Sequence, residues 1–177
     1  MSRRSDRGTL RDAAPYRRKI ETLVGHGATT TAIAAATGLT RPAVDYIRRG
    51  ETRSLRAYAA TALDQVTLAD CITHTEPSGM CPAVGTIRRL EALLAIGWTH
   101  DEIHARTGLA SRRILRNQVT QVTRRTRDNV SALFDELCMT LGPSEHNRAR
   151  AHRFGWLPPL AWDDLDDPDE QPQGCAA

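Results

Sequence analysis

The 177-residue chain carries 24 basic and 21 acidic side chains, a formal net charge of +3. Six of the acids lie between Asp163 and Glu170, so residues 1–160 hold 24 basic against 15 acidic side chains, a balance that favours a polyanionic partner. No stretch is long and apolar enough for a membrane span, and the first residues lack the apolar core of a signal peptide. These features predict a cytoplasmic protein without a membrane partner.

The N-terminal part of the sequence predicts a basic arm followed by a unit of four helices. Residues 1–14 are charged and show no periodicity, which is typical of a disordered segment. In residues 15–66 the second helix ends at Gly38, and the third spans Thr40–Arg49 with threonine as its N-cap and proline in its first turn. A fourth helix is expected over residues 55–66. The first unit is therefore predicted to be all-α.

The same pattern returns seventy residues later. Residues 67–84 are rich in glycine, proline and polar side chains, and they are predicted to be a linker. Ten of the 25 residues at positions 15–39 then recur unchanged at positions 85–109. Such an internal repeat indicates a duplicated helical unit, here residues 85–141.

The C-terminal part of the chain differs from both units. Residues 142–162 predict a short basic helix with Ser144 as its N-cap, followed by a segment whose paired prolines prevent helix formation. Residues 163–177 form an acidic tail, and Trp156 and Trp162 are positioned to hold its root against the rest of the protein.

The spacing within the first unit is that of a helix-turn-helix motif. Counted from Thr30, the small residue Ala34 is at position five, where two helices cross closely, and Gly38 is at position nine, where a tight turn needs a left-handed backbone. Val44 and Ile47, at positions fifteen and eighteen, can fasten the second helix to the first. The outer side of that second helix is then free to enter the major groove of DNA.

With a helix before the motif and another after it, the unit resembles the Cro/λ-repressor-like helix-turn-helix family, over residues 15–66 and again over 85–137. The resemblance implies a tandem, all-α, DNA-binding protein whose first recognition helix is Thr40–Arg49. The layout also resembles helix-turn-helix proteins of actinobacteria and their phages that end in a similar GW-x-PPLAWDD segment, here Gly155–Asp164. That second resemblance implies no mechanism beyond DNA binding.

The predicted DNA-contacting residues lie on the two recognition helices, at the starts of the helices before them, and on the basic side chains that follow. In the first unit they are Thr29, Thr30, Thr40, Arg41, Pro42, Asp45, Tyr46, Arg48, Arg49 and Arg53. In the second unit they are Thr99, Ser111, Arg112, Arg113, Arg116, Gln118, Arg124 and Arg125. Arginine suits both phosphate and the guanine edge, which is why these pairs of arginines are assigned to DNA.

The second unit departs from the motif. His104 replaces the small residue at position five, and Asn117 stands where an apolar anchor belongs. In the same register Leu115 and Val119 would face outward. Two interpretations follow: the second recognition helix is rotated so that Leu115 points inward, or it has changed into a protein contact.

The sequence offers little for metal binding or catalysis. Cys71, His74 and Cys81 have a spacing that fits no standard zinc finger, and His100 and His104 lack the glutamate of a metalloprotease helix. No phosphate-cradling loop and no nucleophile–base–acid spacing occurs in the sequence. We therefore predict no cofactor, no metal and no enzymatic activity.

Together these features predict a sequence-specific regulator of transcription that binds double-stranded DNA at a bipartite, asymmetric site, as a monomer or a dimer. The alternative is a helical adaptor whose second unit and acidic tail bind a protein such as RNA polymerase or a phage component. Three roles are open for the tail: it keeps the protein soluble, it competes with DNA for the basic surface, or it contacts another protein.

Overall fold

The computed structural model describes residues 9–173, which divide into two compact units, with the boundary between Cys81 and Pro82. The described residues form ten α-helices and two small antiparallel sheets of two strands each. These residues are thus mostly helical, as predicted, but the fold is not strictly all-α, because the prediction missed the two small sheets. None of the described helices combines the length and the apolar character needed to cross a membrane.

The first unit begins with a strand, continues through three helices, and returns to a second strand before its last two helices. Its elements are β1 (Leu10–Asp12), α1 (Ala14–Gly25), α2 (Thr30–Thr37), α3 (Arg41–Arg48), β2 (Ser54–Arg56), α4 (Ala57–Gln65) and α5 (Leu68–Thr73). β1 and β2 pair in antiparallel register, with Arg11 opposite Leu55. The predicted arm therefore ends in a strand, and residues 1–8 of it lie outside the described residues.

The second unit begins within the strand β3. Its elements are β3 (Met80–Pro82), α6 (Val84–Ala95), α7 (His100–Thr107), α8 (Ser111–Arg116), β4 (Gln121–Thr123), α9 (Arg124–Leu137) and α10 (Glu145–Phe154), followed by a short 3-10 turn (Pro159–Ala161). β3 pairs with β4. Ser144 caps α10, because its hydroxyl accepts a hydrogen bond from the backbone N–H of Asn147. That cap is the one predicted from the sequence.

Both units have the element order β-α-α-α-β-α, but the spacing changes after the third helix. Each of the first four elements in the second unit starts 70 residues after its counterpart, as α3 at Arg41 and α8 at Ser111 do. β2 and β4 start only 67 residues apart, at Ser54 and Gln121. From the start of the third helix to the start of the second strand, the second unit is therefore three residues shorter, because α8 has six residues where α3 has eight and the loop that follows has four residues where the first unit has five.

Each unit has its own apolar core built from the same helices. In the first unit the fully buried side chains include Ile20 of α1, Ile33 of α2, Val44 of α3 and Leu63 of α4. In the second unit they include Leu90, Leu93 and Leu94 of α6, Ile103 of α7 and Val130 of α9, whereas α8 packs against this core through partly buried apolar side chains only. Burial of aliphatic side chains at about 1.5–3 kcal/mol each supplies most of the stabilisation in such small helical units.

Two predictions about the connecting segments need correction. The fourth helix starts at Ala57 rather than at Leu55, because Leu55 lies in β2 with its side chain buried. The segment 67–84, expected to be a linker, contains α5 and β3. Thr67 and Asp70 form a reciprocal capping box that starts α5, and Cys71 and Ile72 anchor that helix by burial. Sequence periodicity missed α5 because a helix of six residues is less than two turns long.

Candidate nucleic-acid interface

The turn between α2 and α3 is built by one glycine and two capping threonines. The hydroxyl of Thr29 accepts the backbone N–H of Ala32 at the start of α2, and that of Thr40 accepts the N–H of Ala43 at the start of α3. Between the two helices Gly38 has a φ of 70°, in the left-handed region that side chains with a Cβ avoid. The position of α3 is thus determined by the cap at Thr40 and the turn at Gly38, which the sequence predicted, and by the cap at Thr29, which it did not.

α3 has one buried face and one exposed face. Val44 and Ile47 are 0% and 2% exposed, and they hold the helix against the core of the unit. Asp45 is half-buried, and the residues predicted to contact DNA on or beside α3 are otherwise exposed, namely Thr40, Arg41, Pro42, Tyr46, Arg48, Arg49 and Arg53. Thr29 and Thr30, at the start of α2, are half-buried. The structure therefore leaves most of the polar side of α3 open to solvent, with Asp45 half-buried on it.

The arginines on α3 differ in how they are paired. The guanidinium of Arg41 lies 3.5 Å from a carboxylate oxygen of Asp45. Arg49 donates to both carboxylate oxygens of Glu51, at 2.6 and 3.4 Å, and its guanidinium lies 5.0 Å from the ring centre of Tyr46. Within residues 9–173, Arg48 has neither an ion pair nor a side-chain hydrogen bond. Arg48 is therefore the cation on this helix that an external anion can approach without displacing a carboxylate.

In the second unit the corresponding turn carries a stronger first cap and a weaker second one. Thr99 and Glu102 form a capping box at the start of α7, and Gly108 has a φ of 69° at its end. α8 has Ala110 at its N-cap position and therefore no side-chain cap. The Thr99 hydroxyl donates to the carboxylate of Glu102 and accepts the backbone N–H of the same residue. Its first role is therefore to stabilise the start of α7, ahead of the predicted contact with DNA.

Ser111 is not the surface contact that the sequence predicted. It is 1% exposed, and its hydroxyl is hydrogen-bonded to Nδ1 of His100 at 2.9 Å. The bond joins the first residue of α8 to the first residue of α7, and it fastens a helix that has no side-chain cap. Burial, followed by the positive charges of Arg112 and Arg150, lowers the pKa of His100.

The inner face of α8 supports the rotated interpretation of this helix. Leu115 and Ile114 are both half-buried and pack against the core of the second unit. Asn117 is exposed and ends the helix, while Gln118 follows in a left-handed conformation with a φ of 44°. Gly50, after the end of α3, also has a left-handed conformation, so that it is the counterpart of Gln118. In this alignment Asn117 corresponds to Arg49 and not to the apolar anchor. The expectation that Leu115 faces outward in the unshifted register is wrong.

The exposed side of α8, together with the start of α9, is strongly basic. Arg112, Arg113 and Arg116 of α8 are exposed, and that helix contains no acid. At the start of α9, Arg125 is exposed, whereas Nε of Arg124 donates to both carboxylate oxygens of Asp128 at 2.9 Å. Gln118 is exposed beside them. The predicted basic residues of this unit thus lie along α8 and at the start of α9.

One cluster of charged groups was missed by the sequence analysis. Arg89 of α6 donates to both carboxylate oxygens of Asp166, at 2.8 and 2.9 Å, and Arg127 of α9 donates to the same carboxylate at 2.8 Å. Burial raises the pKa of Asp166, but the hydrogen bonds and charges of the two arginines outweigh it, so that this pKa is lowered. Partners 77 and 39 residues apart leave no local sequence signal.

The neighbouring residues of the tail are held by Arg88. Its guanidinium donates to the backbone carbonyls of Leu165, Asp167, Pro168 and Glu170, and it lies 4.2 Å from the ring centre of Trp162. The described part of the acidic tail is therefore docked on α6. Residues 174–177 of the predicted tail lie outside the described residues.

The cysteines and histidines that the sequence analysis considered and rejected as metal ligands are held by burial or by local hydrogen bonds. Cys71 and Cys81 are buried, and burial raises the pKa of the Cys71 thiol to about 11. His74 Nδ1 contacts the carbonyl of Asp70, and His104 Nδ1 contacts that of Leu109. Among residues 9–173 no three His, Cys, Asp or Glu side chains are grouped to hold a metal ion.

Comparison of the chain with protein-family models, with curated proteins and with solved structures found no match. The function is therefore inferred from the exposed surfaces of the helix pairs α2–α3 and α7–α8.

Proposed function

We propose that the protein is a cytoplasmic, sequence-specific regulator of transcription that binds double-stranded DNA through two helix-turn-helix motifs, α2–α3 and α7–α8. The observation that supports this most directly is α3, which buries Val44 and Ile47 while its other side exposes two arginines and a tyrosine, with a third exposed arginine, Arg49, at its C-cap. An α-helix with such a side fits the major groove, where arginine pairs with guanine and phosphate.

In the first motif the proposed roles follow from position and pairing. Arg41, at the start of α3, is placed like the residues that contact base edges, and Asp45, one turn later, can accept from a cytosine amino group. Arg48, which has no partner within residues 9–173, is assigned to phosphate, with Arg49 and Arg53 beside it. The ion pairs of Arg41 and Arg49 oppose this only weakly, because exposed pairs contribute about 0–1 kcal/mol.

In the second motif the chemistry favours phosphate over bases. α8 presents Arg112, Arg113 and Arg116 without an acid, and it is about 9 Å long against about 12 Å for α3. A shorter helix reaches fewer base pairs, whereas three exposed guanidinium groups suit the backbone. Because α8 exposes different side chains and reaches fewer base pairs than α3, the DNA site is expected to have two unlike halves, with the half bound by α8 less strongly specified.

The experiment compares arginine substitutions on α3 with one outside it. The specific duplex is one obtained by selecting bound sequences from a random library. Arg41→Ala should weaken binding to this selected duplex by about 1–3 kcal/mol and leave binding to random duplex nearly unchanged. Arg48→Ala should weaken binding to both duplexes and reduce the slope of log affinity against log salt by about one unit. Arg18→Ala is the matched control, because it removes the same charge from an exposed position on α1.

Fluorescence anisotropy of labelled duplexes over a salt series measures all three variants. If Arg18→Ala reduced affinity as much as Arg41→Ala and Arg48→Ala, general charge rather than α3 would carry the binding, and the proposal would be wrong. If the wild type bound DNA without salt dependence, the adaptor function, with RNA polymerase or another protein as partner, would be favoured instead.

A further inference from the structure

The C-terminal segment covers a helix face in the second unit that is open in the first. Every residue of α6 is buried or half-buried, whereas the counterpart helix α1 exposes Arg17, Arg18, Glu21 and Thr22. α10 and the 3-10 turn pack against α6, and the acidic residues that follow lie on Arg88 and Arg89. Arg88 corresponds to Arg18 of the first unit. Arg88 is covered by the C-terminal segment, whereas Arg18 is exposed to solvent.

The carboxylate of Asp166 lies in a place shaped for it. Gly85, in the first turn of α6, leaves the room: a Cβ at this position would lie 1.8 Å from a carboxylate oxygen of Asp166. The Arg89 and Arg127 side chains are only 13% and 18% exposed, and together they make three hydrogen bonds to the carboxylate. Two guanidinium groups gripping one anion is also the geometry in which arginines bind phosphate.

The Asp166 carboxylate is the end of a chain of ion pairs that reaches the proposed DNA surface. Arg127 contacts Asp166 with one guanidinium nitrogen and Asp128 with the other, at 2.8 and 3.3 Å. Asp128 in turn pairs with Arg124 at 2.9 Å. Since Arg124 belongs to the basic start of α9, the tail competes for arginines that adjoin the predicted phosphate contacts.

We propose that Asp166 is an internal substitute for phosphate, which withholds Arg89 and Arg127 from DNA and so limits non-specific binding by the second unit. The proposal rests on the proposed DNA-binding function. In this proposal the tail competes with DNA for two arginines through a single carboxylate, that of Asp166, and does not act through its overall negative charge. The arginines of α8 stay exposed throughout, so binding through that helix does not require the tail to leave.

Two substitutions in the full chain remove the contact by different routes. Asp166→Asn removes the anion, whereas Gly85→Ala changes no charge and displaces the carboxylate by occupying its place. Asp167→Asn is the control, since its exposed carboxylate accepts only a local hydrogen bond from Asp169 and carries the same charge. Binding to random duplex is measured by anisotropy over a salt series, and circular dichroism verifies that each variant is folded.

Asp166→Asn and Gly85→Ala should each bind random duplex more tightly at low salt, with a slope of log affinity against log salt that is steeper by about one to two units. Asp167→Asn should keep the slope of the wild type. Equal slopes for all four proteins would overturn the proposal, because Asp166 would then serve only to hold the tail in place. Wild-type protein that binds no DNA at all would overturn the proposed function as well. Failure of the Asp166 proposal alone is thus distinguished from failure of the DNA-binding function.

Discussion

Gly38 and Gly25 are both surrounded by open space, yet alanine should act in opposite directions at the two positions. At each, an added Cβ would meet no atom within 4 Å, so that steric clash contributes nothing. Gly38 has a φ of 70°, and placing alanine in the left-handed region costs about 1–2 kcal/mol. Gly25 is the last helical residue of α1, where alanine should stabilise the helix by up to about 0.5–1 kcal/mol.

Urea denaturation can follow the two units separately. All three tyrosines lie in the first unit and all three tryptophans lie in the second, so that tyrosine signals report on the unit that contains Gly38. Gly38→Ala should lower the free energy of unfolding measured by tyrosine, and Gly25→Ala should leave it equal or raise it. Equal destabilisation by both substitutions would contradict the assignment of the effect to backbone conformation at Gly38.

Three further predictions concern single groups in the structure. Because the pKa of Asp166 is lowered in the folded state, its contribution to stability is present above the unfolded pKa of about 3.9 and is lost as pH falls through the folded value. The difference in unfolding free energy between wild type and Asp166→Asn should therefore shrink on acidification, and a difference independent of pH would contradict this. Cys71, buried with a pKa of about 11, should resist alkylation in the native protein while half-exposed Cys138 reacts, as peptide mass mapping can show; equal rates would be the contrary result. Ser111→Ala should lower the unfolding free energy of the second unit by about 1 kcal/mol through loss of its bond to His100, without changing the salt dependence of DNA binding. A reduced salt slope in a fully stable variant would restore Ser111 as a DNA contact.

The parts of the fold that sequence patterns predicted are those governed by short-range chemistry. Thr40 and Ser144 were predicted as N-caps, and both accept the expected backbone hydrogen bonds. Gly38 was assigned a left-handed turn from its position in the motif, and it has that conformation. In each case the signal lies within a few residues of the group it determines.

The missed features depend on partners that are distant in the sequence. β1 and β2 are three residues each, too short to show an alternating pattern, and they pair across more than forty residues. The contact of Asp166 with Arg89 spans 77 residues. The register of α8 was mistaken because α8 is two residues shorter than α3 and the loop after it is one residue shorter, and a repeat aligned without a gap carries that error into every later position.

Selection of bound sequences from a random duplex library tests the central claim most directly. The account predicts enrichment of one motif with two unlike halves, in which guanines at the positions contacted by α3 lose their enrichment when the selection is repeated with Arg41→Ala. Recovery of no motif by the wild type, or of the same motif with the same strength by Arg41→Ala, would contradict sequence-specific binding through α3.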